Sequence, residues 1–342
     1  MRRVLPTVLA VAAAFTCQTS LSRAQQVPDT TFRFHPDDPA FDLGAGPRVC
    51  IDGAHRNFHT LRGRYAPFGT LLEADGFAVV QLEVAFDSIA LSPCGVLVIA
   101  NPGQREGGVP PSYPHEAAFT KAEADALFRW VRMGGAVLLI VDHPPYAGAA
   151  AGLASLFGFQ LFDGYVGPST DSPNGTMVFG RLDEDAIRAS SEEYGIPYEA
   201  FRRTIGDPGS LADHVITRGR AATEAVETVV TFTGTAFFPS GDVEPLLLLG
   251  PAATGVVALG WNVPEAAPEE YPLFPMSGWL QGGVRRIAHG KVAVLGEAAM
   301  CSAQWAGAQR IPMGMNMPFA SENARFCLNV VRWLAGVYDS ER

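Results

Sequence analysis

Residues Ile51 to Thr60 read I-D-G-A-H-R-N-F-H-T and follow directly on the short apolar run Arg48–Ile51. Asp52, His55, Asn57 and His59 therefore fall within eight positions, where a strand would end. A carboxylate, two imidazoles and an amide at that density can bind a divalent metal, move protons or hold a polar ligand. His55 and His59 are four apart, a spacing that would let both rings meet one metal on a helical turn, with Asp52 completing the set. No Glu follows the first histidine, so this is not the H-E-x-x-H pattern of zinc proteases. The plainer alternative is an Asx-turn closed by Asp52 with the imidazoles in a loop network.

Three other strand ends carry chemistry. G-V-L-V-I-A (95–100) ends in Asn101, with His115-Glu116 later in the same loop. A-V-L-L-I-V (136–141) ends in Asp142-His143-Pro144-Pro145. The run 291–295 ends in Gly296-Glu297, followed by Cys301, Ser302 and Gln304. Asp142 beside His143 can orient or charge the ring. Glu297, closing an apolar strand, is placed for its pKa to rise towards the general-acid range, or to bridge backbone amides. Nucleophiles are few: there is no G-x-S-x-G elbow or P-loop. Cys301 would need a base within reach, and Ser302 reads as a loop hydroxyl. In P-M-G-M-N-M-P (312–318) three methionines flank Asn316, an adaptable apolar wall over a site or ordinary packing. The expected catalytic set is Asp142, His143 and Glu297. Asn57, Asn101, Ser302, Gln304 and Asn316 would bind substrate, and Asp52, His55 and His59 a divalent metal.

These tips share one sheet edge only if the strands are parallel, and the alternation of elements predicts that. A strand at 48–51 leads to a helix over 67–74, stopped by Asp75-Gly76, and a strand at 77–82. After the strand at 95–100, T-K-A-E (120–123) is a capping box opening a helix that ends at Gly134-Gly135. Continuous apolar strands alternating with helices imply a doubly wound, mostly parallel α/β sheet. Residues 160–225 are more polar and punctuated by Pro, Gly and Asp, and read as an insertion. Strand signals return at 229–232, 245–249, 255–259 and 291–295. A helix over 323–334 should lay Phe326, Val330 and Trp333 on the sheet. One α/β domain over 47–342 is expected, after an extended lead-in at 25–46.

The N-terminus, M-R-R followed by an apolar run and S-R-A at 22–24, fits a secretory signal peptide cleaved after Ala24. It is too short for a membrane span. A periplasmic or secreted location follows, with small-molecule partners. The net charge of −10 and unclustered basic residues argue against nucleic acid. Of five cysteines, Cys17 lies in the leader. Cys50, Cys94, Cys301 and Cys327 show no disulfide framework by spacing and read as buried free thiols, although an oxidising compartment permits bridges.

With these motifs in place, the chain resembles a secreted bacterial family within the class I glutamine amidotransferase-like, ThuA-related superfamily. The matching segments are 52–60 with G-R-Y-A-P-F (63–68), W-V-R-M-G-G (130–135), 136–144, D-H-V-I-T-R-G (213–219), G-E-A-A-M (296–300) and 312–318. The resemblance implies a flavodoxin-like sheet and, through ThuA-like relatives, a faint link to carbohydrate chemistry. It does not imply glutaminase activity, because Asp142-His143 stand where the G-x-C-x-G cysteine turn would be. Three functions fit. The first is an exported hydrolase of a small ester, lactone or sugar-derived substrate. The second is a non-catalytic periplasmic ligand-binding protein, and the third an envelope assembly partner using the 160–225 segment.

Overall fold

The computed structural model describes residues 26–103, 114–169, 175–257 and 271–339. The leader lies outside the described residues, as do the last positions of the strand expected at 255–259. A ten-stranded mixed sheet runs through the molecule. In its parallel half Arg48–Asp52 lies between Ala78–Leu82 and Val96–Ala100. Ala136–Ile140 then joins Val96–Ala100, and Gly290–Leu295 joins Ala136–Ile140. Numbered along the chain, these strands stand in the order 2-1-3-4-5. Beyond Gly290–Leu295 the sheet turns antiparallel through Leu280–Ile287, Phe237–Pro239 and Phe159–Leu161, with Glu244–Leu248 also on Leu280–Ile287.

Every residue of Val96–Ala100 and Ala136–Ile140 is buried, as continuous apolar runs require when both faces are covered. Alternate side chains divide between two cores because successive Cβ atoms point to opposite faces. Val49, Ile51, Val98 and Leu138 meet Phe68 and Leu72 of the helix Ala66–Ala74, and Phe326, Val330 and Trp333 of Asn323–Leu334. Cys50, Leu97, Ile99 and Val137 meet Leu127 and Val131 of Lys121–Arg132, and Leu153 of Tyr146–Leu156. Each fully buried Leu or Phe contributes about 1.5–3 kcal/mol relative to exposure.

Between Ile140 and Gly290 the chain makes one long excursion. It contains the expected polar stretch, here built from Thr176–Gly180 and the helices Glu184–Glu193 and Tyr198–Arg203. Thr176–Gly180 pairs with Thr228–Phe232 as a separate two-stranded sheet, so the strand expected at 229–232 is present but outside the central sheet. Lead-in residues Gln26–Pro28 form a strand against Ala303–Ala306.

The cysteine reading is overturned. Cys50 is bonded to Cys94 and Cys301 to Cys327, each pair with Cα atoms 5.7 Å apart. The partners are 44 and 26 residues apart in sequence, and only the fold joins them. Cys94 precedes the strand that pairs with the strand of Cys50, while Cys301 lies in the turn after the last parallel strand and Cys327 in the final helix.

Candidate functional site

Asp52, His55 and Asn57 close on one another rather than on a ligand. Both carboxylate oxygens of Asp52 lie 2.9 Å from His55 Nδ1, which donates to them. Asn57 Nδ2 donates to Asp52 at 3.0 Å, and Asn57 Oδ1 accepts the His55 backbone N–H. His55 Nε2 donates to Glu123 at 2.9 Å, and the ring packs against both Phe86 and Phe119, which stack on each other. Glu123 is the capping-box residue of Lys121–Arg132, so one carboxylate both caps the helix and holds the imidazole. Burial works to lower the His55 pKa, but the bonds and charges of Asp52 and Glu123 outweigh it and raise it. Burial likewise raises Glu123, and the bonds from His55 and Thr120 pull it down to about 2. This is an ion-paired knot with neither imidazole nitrogen free.

His59 is held apart from the knot. Asn101 Nδ2 donates to His59 Nδ1 at 3.3 Å, and the ring packs on Tyr65 and Phe58. Burial, then the Arg64 charge, lowers its pKa to about 3, so it is neutral. The expected metal site is therefore not assembled: His55 spends both nitrogens on carboxylates, and His59 turns to Asn101. Among the described residues no group of three or more His, Cys, Asp and Glu is arranged to hold a metal.

The other strand ends do converge, because the strands are parallel and Ile140 is in register with both Ala100 and Leu295. Asn101 sits at φ 46°, a left-handed conformation that Asn tolerates better than most residues. From there its Oδ1 accepts the Asp142 backbone N–H at 2.9 Å while its amide reaches His59. Asp142 Oδ1 accepts the His143 N–H at 2.8 Å, but its nearest approach to the ring is 3.9 Å, to Nε2. The ring is oriented instead by the Pro144 carbonyl, which accepts from Nδ1 at 2.9 Å, and by stacking on Tyr165 at 4.5 Å. The His143 side chain is 26% exposed and that of Asp142 14%.

Glu297 is 1% exposed. Its two oxygens accept the N–H groups of Ala299 and Met300 at 2.5 and 2.8 Å. Burial first, then the Asp142 carboxylate, push its pKa well up, against the backbone amides. Gly296 before it is obligatory, since a Cβ there would lie 2.3 Å from the Thr235 carbonyl oxygen. Glu297 thus braces the turn after the last parallel strand by bridging two backbone amides, with its pKa raised.

Ser302, Gln304 and Asn316 belong to a neighbouring structural network. Ser302 Oγ donates to the Ala299 carbonyl and accepts from Gln304 Nε2. Asn316 Nδ2 donates to the Gln304 carbonyl and to Asp29. Ser302 and Gln304 are fully buried, and Cys301 is bonded to Cys327, so this loop offers no nucleophile.

Three residues of the cleft were not singled out by sequence. Arg64 stacks on Phe58, its carbon Cζ 3.7 Å from the ring centre, and Nη1 donates to the Phe58 carbonyl. Tyr146 is buried between Phe58 and His143, with ring centres 5.8 and 6.1 Å away. Tyr165 backs His143. A signal existed for Tyr146, which follows Pro145 at the tip of an apolar strand. Tyr165 comes from the long excursion and gave none.

Fold and site together define a mixed α/β protein whose polar residues Asn101, Asp142 and His143 gather at the carboxyl ends of its parallel strands. No family model matches the chain, and no curated protein matches it. Among solved structures it is similar to the mmIFT52 N-terminal domain, at 14% identity and a TM-score of 0.49, over 84% of this chain and 96% of that one. A putative ThuA-like protein from Bacteroides uniformis is 13% identical, with a TM-score of 0.43 over 88% and 94%. Cytoplasmic protein STM1381 from Salmonella typhimurium is 12% identical, with a TM-score of 0.46 over 84% and 98%. No role for any residue is taken from likenesses this remote. No helix of the described residues is long and apolar enough to cross a membrane.

Proposed function

We propose that the cleft is a hydrolytic site for a small ester, lactone or sugar-derived substrate, with His143 Nε2 as the base that takes a proton from the attacking water and returns it to the leaving oxygen as the C–O bond breaks. The observation that carries this reading is the fixed ring of His143. Because Nδ1 donates to the Pro144 carbonyl, the Nε2 lone pair of the neutral imidazole is left for a proton. The Asp142 carboxylate lies 3.9 Å from Nε2. Glu297 supports the turn and the local field rather than donating the proton. Water is the nucleophile in this scheme, since Cys301 is in a disulfide and Ser302 is buried.

The parallel half supports a second inference, a doubly wound, flavodoxin-like unit related to the ThuA-like proteins, with the long excursion as its insertion. The order 2-1-3-4-5 and the cores on both faces support it. So does the position of Asn57, His59 and Asn101, where strand order reverses between Arg48–Asp52 and Val96–Ala100. The leader pattern and two disulfides support an exported protein.

His143→Gln and Asp142→Asn should each lower turnover of an ester or lactone substrate by about 10²–10⁴-fold with an unchanged melting temperature. Wild-type rates in both would end the hydrolytic reading. The second reading, a ligand-binding protein without chemistry, is favoured by the lack of a free side-chain nucleophile at these strand ends among the described residues. Saturable binding with no turnover of any bound ester or lactone would establish it.

A further inference from the structure

The tautomer of His59 follows from a chain of hydrogen bonds. The Asp142 N–H fixes Asn101 Oδ1 as an acceptor, so the other end of that amide is the NH₂ group. That NH₂ donates to His59 Nδ1, so the ring proton of the neutral imidazole sits on Nε2. His59 Nε2 is buried and, among the described residues, has no hydrogen-bond acceptor. Arg64 Nε is a second buried donor in the same condition. Both side chains lie against the Phe58 ring, and no carboxylate among the described residues forms an ion pair with Arg64. Two buried donors without acceptors are costly to maintain, at about 1–3 kcal/mol each, unless something arrives to accept from them.

We propose that His59 and Arg64 anchor a carboxylate of the substrate, so that the cleft takes small carboxylate-bearing esters, lactones or sugar acids. The assignment of the anchored molecule as a substrate rests on the hydrolytic reading above. Arg64 Nη1 is engaged by the Phe58 carbonyl, which leaves the Nε edge of the guanidinium, a side-on geometry suited to a carboxylate. A phosphate dianion fits less well. Among the described residues Arg64 is the cation at this point, and the Asp142 carboxylate, which adds to burial in raising the Tyr146 hydroxyl pKa, would repel a second negative charge. From the anchor, the rings of Phe58, Tyr146 and His143 follow one another at 5.8 and 6.1 Å and lead to the base. A molecule held by its acid group at the Phe58 end would thus extend along this row of rings towards His143.

The test is calorimetric binding of lactate and gluconate to the purified chain, beside lactamide and gluconamide as neutral matches. The acids should bind, and the amides about tenfold or more weaker, since a hydrogen bond to a charged group is worth about that factor. Arg64→Gln should weaken acid binding about tenfold to a hundredfold, and His59→Phe about threefold to tenfold. Arg64→Lys, which keeps the charge and loses the side-on edge, should fall between and serves if the Gln variant does not fold. Three results overturn the anchor: no acid binding up to about 10 mM, equal binding of acid and amide, or wild-type binding by the Arg64 variants. His143→Gln should bind the acids normally. If it also hydrolyses at the wild-type rate, the hydrolytic reading falls and the anchor stands.

Discussion

His55 and His59, four residues apart on one loop, have their pKa values moved in opposite directions. His55 gives both ring nitrogens to carboxylates and its pKa is raised, whereas His59 is buried beside Arg64 and its pKa falls to about 3. The loop after the first parallel strand thus supplies one imidazole bound on both nitrogens by carboxylates and one neutral imidazole that meets Asn101 and Tyr65.

Opposite pH trends follow. A raised histidine pKa contributes stability that is full below the unfolded value of about 6.5 and is lost as pH rises through the folded value. The stability gap between wild type and His55→Gln should therefore narrow as pH climbs above about 6.5. A depressed histidine pKa acts the other way, so His59 costs stability as pH falls from about 6.5 towards 3. His59→Gln should flatten that acid limb in urea melts across pH, and a limb of unchanged slope would contradict a neutral, buried His59.

Asp52→Ala leaves His55 buried against Glu123 alone and removes one of the acceptors of the Asn57 amide. Loss of one partner from a buried, hydrogen-bonded ion pair costs about 3–5 kcal/mol, and denaturant unfolding should read a loss of that order. Asn57→Ala, which removes a neutral donor, should cost about 1–3 kcal/mol.

Asn101→Gly keeps the left-handed backbone and deletes only the bridge between Asp142 and His59. Nitrogen-15 spectra of the histidine rings should then show His59 moving from the single Nε2–H tautomer to a mixture. An unchanged His59 signal would mean that the ring is fixed by something other than Asn101.

Intact mass and thiol titration of the oxidised protein should find Cys50, Cys94, Cys301 and Cys327 without free thiols. Reduction should lower stability by about 2–4 kcal/mol per bridge. A Cys301→Ser/Cys327→Ser pair should loosen the turn braced by Glu297, since that bridge ties it to the last helix.

The parallel half of the fold was readable because its signals are local. Apolar runs, the Thr120 capping box and the final helix at 323–334 each announce themselves within a dozen residues. What sequence could not resolve was which polar residues spend their groups on one another. Asp52 and His55 look like ligands until Glu123, 68 residues away from His55, takes the second nitrogen. The disulfides were hidden for the same reason, since proximity came from strand pairing and helix docking rather than spacing. The pairing of Arg332 with Asp75, buried between the last helix and the first, has no sequence signature at all.

Asp142 is where the long excursion leaves the sheet and Glu297 is just past where it returns, and both departure and return are pinned by the register of Ile140 with Leu295. The parts of the polypeptide between them that lie outside the central sheet, such as Tyr165–Gly167, Thr176–Gly180 and the helices Glu184–Glu193 and Tyr198–Arg203, can therefore be remodelled as a cassette. Loops and strands traded along it would alter what covers the cleft, as Tyr165 now does, while the two carboxylates stay fixed by the sheet. Such an arrangement separates the part of the molecule that selects a ligand from the part that would act on it, and lets one diversify without the other.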